Sequence, residues 1–300
     1  MLVVSGPTAS GKSSWALRLA QRVRGAIIAA DSRTVYRELS IGAGKVTTEY
    51  PADRFDTADG PMYVIDGVPH YGLDLATLDE VYTVAQFQSY VRTLVPELQQ
   101  AGYVPMLVGG SGLYIDAVRH GFVFPESTPP PSTWKTRLLE DLVEELRTLD
   151  PYSASNLDLR NRRRVERALA YVHATGKSFC VAQQREGGYD HQLFVVDRPR
   201  EELYARIDQR VDERMAAGML EEVRALVQGG WSERLLGLGL EYRVLTAFLE
   251  GAIPTQAEAV QQLKYAIHAF ARRQLTWWRR QPDVRWVSSY TALERQVLND

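Results

Sequence analysis

A single cysteine, Cys180, stands among 300 residues, so no internal disulfide can form and no zinc site can be built on paired thiolates. Net charge is nearly absent as well: 35 Lys and Arg face 37 Asp and Glu, leaving -2. No global positive field therefore marks a polyanionic partner, and any nucleic-acid surface has to be local. No apolar run reaches bilayer length. The opening residues Met-Leu-Val-Val-Ser lead straight into a glycine-rich loop, which leaves no room for a signal peptide, so a reducing, cytoplasmic setting without a membrane partner is expected. Internal repeats and low-complexity tracts are missing, apart from a cluster of prolines at 125–131.

Short aliphatic runs are present at Leu2–Val4, Ala26–Ala30, Pro105–Val108 and Leu193–Val196, each followed by a helical stretch. Their continuous apolar character and alternation with helices predict an α/β fold with a buried parallel sheet and crossover helices. From Gly121 to about Tyr189 the texture changes. "FPESTPPPS" reads as a connection, and "TWKTRLLEDLVEELRTLD" and "RRVERALAYVHATG" carry helical periodicity with no strand between them. The expected organisation is a P-loop α/β core over 1–118 and 191–300 and an inserted all-helical subdomain over 119–190. Residues 219–278 read as mostly helical, with "VRWVSS" as a last strand.

Chemistry begins at "GPTASGKSSW". Gly6, Gly11, Lys12 and Ser13 satisfy the spacing G-x-x-x-x-G-K-S/T between a predicted strand and a predicted helix. Backbone N–H groups of such a loop converge on an anion, the helix N-terminus adds partial positive charge, Lys12 adds a full one, and the Ser13 hydroxyl can ligate Mg²⁺. This pattern binds phosphate, but nucleoside triphosphates and isolated diphosphates present the same geometry to it. The strand "AIIAADS" ends in Asp31 and Ser32 at the carboxyl edge of the sheet, where ligands bind in open α/β folds. From position alone Asp31 could ligate a metal, accept a proton or cap a helix. A third strand runs into Gly109, Gly110, Ser111 and Gly112, a place where backbone must come close to something. The Asn-Lys-x-Asp pattern that selects guanine is absent.

Taken together and in order, "GPTASGKS" at 6–13, "DSRTVYRELSIGAGKVT" at 31–47, "HYGLD" at 70–74, "VYTVAQF" at 81–87, "LVGGSGLYI" at 107–115, "NRRRVERAL" at 161–169, "TGKS" at 175–178 and "RRQLTWWRR" at 272–280 resemble the tRNA dimethylallyltransferase family. The resemblance spans nearly the whole chain. It implies transfer of a dimethylallyl group from dimethylallyl diphosphate to N6 of adenosine 37, beside the anticodon, in tRNAs reading codons that start with U. The partners implied are the tRNA anticodon stem-loop and dimethylallyl diphosphate, with Mg²⁺ as cofactor and no obligate protein partner.

The resemblance also implies roles. The diphosphate falls to Gly6, Thr8, Ala9, Ser10, Gly11, Lys12 and Ser13, with an arginine from the helix after the strand at 193–196. Arg206 is favoured there over Arg210, four residues on. Asp31 becomes the base that takes the proton from the acceptor amine, and Lys12, Arg206 and Thr8 join it as catalytic groups. An adenine stacked in a loop cannot reach such a pocket, so it must be extruded, through a channel whose other end admits the diphosphate. Contacts to tRNA are expected from Asp31, Ser32, Arg33 and Thr34, from Gly110 and Ser111, from Arg163, Arg164, Val165 and Arg167 in an arginine-rich stretch, and from Tyr242 and Arg243. His70 and Asp74 are read as structural, and Trp277 and Trp278 as core.

Some positions depart from the family pattern. Thr34 stands where many relatives carry glutamine, "IGAGKVT" replaces the usual Gly-Thr-Ala-Lys-Pro, Glu241 precedes Tyr242 where glycine is common, and His268 replaces an arginine. The alternative of a different class is a small-molecule or nucleoside P-loop kinase, which shares the loop and an arginine-bearing helix. A non-catalytic RNA-binding ATPase and an enzyme prenylating free adenine nucleotides rank below it.

Overall fold

A computed structural model describes residues 1–124, 130–182 and 185–299. Most of the expected proline-rich connection, residues 125–129, lies outside the described residues. Contacts divide the chain into two units, Met1–Ile115 with Asp190–Asp300, and Asp116–Tyr189.

The first unit is built on an eight-stranded sheet: β1 Leu2–Ser5, β2 Gly25–Ala29, β3 Asp53–Thr57, β4 Gly60–Ile65, β5 Val68–Tyr71, β6 Val104–Gly109, β7 Gln192–Val196 and β8 Val284–Val287. Their order is β3-β4-β5-β2-β6-β1-β7-β8. From β5 to β8 all neighbours are parallel, whereas β3, β4 and β5 pair antiparallel. The parallel centre is covered on both faces, so β1 is buried at every position, as continuous aliphatic runs require. The antiparallel arm was not expected from the sequence. In β4 buried and half-buried residues alternate, and β3 is exposed throughout. Its run Asp-Arg-Phe-Asp-Thr contains no aliphatic residue, and such charged edges resist pairing with other chains.

Helix Lys12–Val23 packs Trp15, Ala16, Leu19 and Ala20 onto the sheet face carrying Val4, Ile27, Met106 and Phe194. A second core joins helices Arg200–Ala216, Leu240–Leu249 and Gln256–Trp278 through Ile207, Val211, Tyr242, Leu245, Leu263 and Ile267. Each fully buried Leu, Ile or Val in these clusters contributes about 1.5–3 kcal/mol of transfer free energy.

The second unit is helical, with helices Leu139–Leu149, Pro151–Asn156, Arg162–Thr175 and Phe179–Ala182 around Leu142, Leu146, Val165 and Leu169. Asp150 knots it: its carboxylate accepts the Ser153 and Phe179 N–H groups at 3.0 and 2.8 Å and the Ser178 hydroxyl at 2.8 Å. These bonds favour the ionised form and hold the Asp150 pKa low, against the burial that opposes it.

Candidate active site

The glycine loop sits between β1 and helix Lys12–Val23 because β1 points its carboxyl end at the helix N-terminus. Ala9 adopts φ +60° and Gly11 φ +92°, a left-handed turn that glycine enters at no steric cost and that aims successive N–H groups to one side. The helix start has no side-chain cap and no acidic residue in its first turn, so its orphan N–H groups stay available to an anion. Outward-facing carbonyls of the loop are held by arginines: Arg198 Nε donates to Ser10 O at 2.5 Å, and Arg206 Nε to Ala9 O at 2.9 Å. Lys12 Nζ donates to Pro7 O at 3.2 Å.

Two cavities meet at this loop. The larger, about 680 Å³, is open and bordered by Gly11, Ser13, Arg206, Arg210 and Arg214. The smaller, about 100 Å³, is bordered by the polar Thr8, Lys12, Asp31, Arg33 and Thr34, by Gly110, and by the apolar Ile27, Leu73 and Val108. Lys12, Ser13, Glu49, Arg210 and Arg214 border both. Burial, helped by the nearby Arg210 guanidinium, lowers the Lys12 pKa to about 8.

Asp31 follows β2 and accepts the Arg33 N–H at 2.9 Å through Oδ1. Ser32 N donates to Ser111 Oγ at 3.2 Å, which ties the Asp31 turn to the turn after β6. That turn is close because Gly109 has no side chain: a Cβ there would overlap the Ala30 carbonyl. Gln274, from helix Gln256–Trp278, spans the site. Its Oε1 accepts Thr8 N at 2.8 Å and its Nε2 donates to Gly110 O at 3.0 Å. Gln274 belongs to the "RRQLTWWRR" segment, where the flanking arginines and tryptophans carry the stronger local signal. Arg198 and Arg214 were also passed over, although 206, 210 and 214 repeat every four residues, the spacing of one helix face.

The structure brings Thr8, Lys12, Ser13, Asp31, Arg33, Thr34, Gly110 and Arg210 to one cavity and places Arg206 at the adjoining one. Between the two arginines, Arg206 holds the loop carbonyl and Arg210 pairs with Glu49. Exposed Arg163, Arg164 and Arg167 lie on helix Arg162–Thr175 of the helical unit, and exposed Arg243 on Leu240–Leu249.

Two residues expected to contact tRNA have buried side chains. Val165 is fully buried in the helical unit, because its position on the helix faces the same way as Ala168 and Leu169. Tyr242 is fully buried too, with its hydroxyl donating to Glu222 at 2.8 Å and accepting Ala43 N at 2.9 Å. His268, stacked on Tyr204 with ring centroids 4.0 Å apart, faces Asp208 at 2.8 Å. His70 is buried with Nδ1 on Val68 O at 2.9 Å, and burial lowers its pKa. Asp74 pairs with buried Lys45 and accepts the Tyr63 hydroxyl. Of the two tryptophans expected in the core, Trp278 is fully buried and Trp277 only half-buried.

Among the described residues no cluster of three or more His, Cys, Asp or Glu could hold a metal alone, and no helix is long and apolar enough to cross a membrane.

A phosphate-cradling loop at the carboxyl edge of a sheet with a parallel centre defines a P-loop α/β protein, here with a carboxylate beside the cradle. The family described as IPP transferase matches residues 34–281, and the one described as Isopentenyl transferase matches residues 1–52. The tRNA dimethylallyltransferase of Anoxybacillus flavithermus is 36% identical over 99% of this chain and 93% of its own. That of Trichlorobacter lovleyi, tRNA dimethylallyltransferase 1, is 38% identical over 96% and 93%. The crystal structure of the full-length tRNA isopentenylpyrophosphate transferase from Bacillus halodurans aligns with a TM-score of 0.71 at 30% identity, covering 99% of this chain and 94% of that one. A eukaryotic dimethylallyltransferase, crystallised acting on tRNA, shares the fold with a TM-score of 0.72 at 21% identity. The chain belongs to the tRNA dimethylallyltransferase family.

Proposed function

We propose that the protein transfers the dimethylallyl group of dimethylallyl diphosphate to N6 of adenosine 37 in tRNAs reading codons that start with U, releasing diphosphate. The observation that carries this reading is the meeting on one cavity of Lys12, a cation for the phosphates, and Asp31, a carboxylate, with the apolar Ile27, Leu73 and Val108 in the same lining. A kinase also uses a carboxylate base, so the pocket alone does not separate the two; the family relatives, which are prenyltransferases, favour transfer.

In the reaction the allylic C–O bond breaks while the N6–C bond forms. Positive charge grows on the allylic carbon and negative charge on the departing diphosphate. Lys12, the loop N–H groups and Arg206 or Arg210 stabilise the diphosphate, and Thr8 lies beside the reacting atoms. Asp31 accepts the proton released by N6 as the new bond forms. Ile27, Leu73 and Val108 keep water from the cationic carbon.

The donor set suits Mg²⁺ shared with the substrate: Ser13 borders both cavities, and this ion is commonly held by one or two protein oxygens together with substrate phosphates. When bound, Mg²⁺ offsets charge on the leaving diphosphate. The exposed Arg163, Arg164 and Arg167 of the helical unit meet tRNA phosphates, and Ser32, Arg33, Thr34, Gly110, Ser111 and Arg243 border the path of the flipped base. The setting is cytoplasmic.

The test is mass spectrometry of an unmodified tRNA transcript with A36-A37-A38, incubated with protein, Mg²⁺ and dimethylallyl diphosphate, beside an A37→G transcript. Gain of one dimethylallyl unit on the first transcript alone is expected. Donor-independent ATP hydrolysis with no transfer would overturn the reading.

A further inference from the structure

Glu241 is a buried carboxylate, 4% exposed, that borders neither cavity. Its Oε2 accepts Arg33 Nη1, and its Oε1 lies 3.8 Å from Arg214 Nη1. Both arginines do reach the site: Arg33 borders the smaller cavity, and Arg214 stands where the two cavities join. The surrounding backbone is cut to admit them. Gly44, at φ +65°, lies so close that a Cβ would overlap the Arg214 guanidinium, and a Cβ at Gly239 would press on Arg33 Cδ.

A buried carboxylate shared by two arginines is costly to desolvate and contributes little stability beyond what an apolar cluster of the same volume would give. The cost is visible at Arg214, whose pKa burial and the neighbouring Arg210 lower to about 10. Lys12, Arg210 and Arg214 thus crowd one junction, and Arg210 is already paired with Glu49. Arg214 is anchored through Nη1, by the Glu241 ion pair at 3.8 Å and the Gly42 carbonyl at 3.5 Å, with Glu49 as a further nearby charge. Lys12 and Arg214 both border both cavities, so an anion at the junction comes under the charge of each.

We propose that Glu241 is a positioning residue that fixes the Arg214 guanidinium at the junction of the two cavities, where Arg214 makes a further contact to the donor's diphosphate beside Lys12. The proposal rests on the diphosphate-donor reading above and adds a cation to it.

The sign of one substitution separates positioning from simple electrostatics. Removing a negative charge near an anion site strengthens anion binding through the field alone, whereas releasing Arg214 from its anchor weakens it. Inorganic pyrophosphate is titrated by calorimetry into the full chain without tRNA. Arg214→Met is expected to weaken binding about tenfold, the scale of one hydrogen bond to a charged group. Glu241→Gln is expected to weaken it several-fold (about 3–10), and the double variant about as much as Arg214→Met alone, because the two act as a unit. Gly44→Ala, which keeps every charge but fills the space of the guanidinium, serves if Glu241→Gln fails to fold and is expected to weaken binding too. Unchanged affinity in Arg214→Met, or tighter binding in a folded Glu241→Gln, overturns the proposal. Transfer to tRNA alongside unchanged pyrophosphate affinities defeats this inference alone; the expected affinities without transfer defeat only the reading of the acceptor.

Discussion

The Asp31 carboxylate accepts the backbone N–H of Arg33 at 2.9 Å through Oδ1, and the Arg33 guanidinium, paired with Glu241, also stands 3.7 Å from the same Oδ1 through Nε. No protein group among the described residues donates to Asp31 Oδ2, so an oxygen is left to receive a proton from a substrate amine. Replacing Asp31 with Ala is expected to lower kcat at least about a hundredfold, the usual scale of general-base loss, with little change in KM for dimethylallyl diphosphate. Steady-state kinetics with each substrate varied check this. Collapse of diphosphate affinity instead would make Asp31 part of a metal site.

Lys12 supplies a pH dependence. Its pKa in the folded protein is lowered to about 8, and a bound anion favours the protonated form. Pyrophosphate should therefore bind with proton uptake above pH 8, and affinity should fall by up to about tenfold per pH unit as Lys12 loses its proton. Calorimetry at pH 7–9.5 in buffers of differing ionisation enthalpy measures both. Subtracting the profile of Lys12→Met removes the ligand's own titration.

How far the sequence reached follows from the range of each interaction. The glycine loop, its strand and its helix are contiguous, so Gly6 to Ser13 declared their conformation and chemistry together. The central strands were readable because a parallel sheet covered on both faces demands unbroken aliphatic runs. β3 escaped because Asp53–Thr57 is an exposed edge, with no apolar face to advertise it. The site's long-range partners were hidden for another reason. Gln274 is 266 residues from Thr8, and Glu241 is 208 from Arg33; no local spacing encodes such pairs. Val165 and Tyr242 show the opposite failure, since a motif position near arginines says nothing about which way a helix turns its side chains. "IGAGKVT" and "GLEYR" stood out as departures from the family pattern, and they meet at Arg214, which Gly44 accommodates and Glu241 faces.

Gln274 holds the phosphate loop to the Gly110 turn with both ends of one amide. Truncation to Ala leaves Thr8 N and Gly110 O without partners, at about 1–3 kcal/mol each if water does not replace them. It also frees two walls of the cavity to shift, and small misplacements of this kind cost up to about a hundredfold in rate. Gln274→Ala is expected to lower kcat more than it lowers Tm, whereas Gln274→Glu keeps the acceptor for Thr8 N but faces the Gly110 carbonyl with another acceptor. Parallel thermal melts and kinetics separate the two losses.

Tyr242 tests a stability role where an RNA contact was expected. Its hydroxyl bridges the Glu222 carboxylate and Ala43 N, and Glu222 in turn accepts Ile41 N at 2.7 Å and Gly42 N at 3.1 Å. Tyr242→Phe keeps the ring but orphans a buried N–H, so a loss of about 1–3 kcal/mol in urea unfolding is expected, with tRNA affinity unchanged at low temperature. Weakened tRNA binding at full stability would restore Tyr242 to the RNA surface.

The arginines of the helical unit carry the last expectation. Arg162 is spent on the fold, pairing with Glu166 at 2.8 Å and donating to Arg137 O at 2.9 Å, whereas Arg163, Arg164 and Arg167 are exposed. Each phosphate that a cation neutralises releases counterions, so the logarithm of affinity falls with the logarithm of salt in proportion to the number of phosphates engaged. Charge reversal at Arg163 and Arg164 is expected to weaken tRNA binding and to lower that slope by about one for each phosphate no longer neutralised, while pyrophosphate affinity stays at the wild-type value. Arg162→Gln should instead destabilise the helical unit before it alters the slope. Binding measured between low and moderate salt decides between the two classes of arginine. An unchanged slope in the charge-reversed protein would mean that Arg163 and Arg164 only solvate the helix, leaving tRNA to be held by other cations.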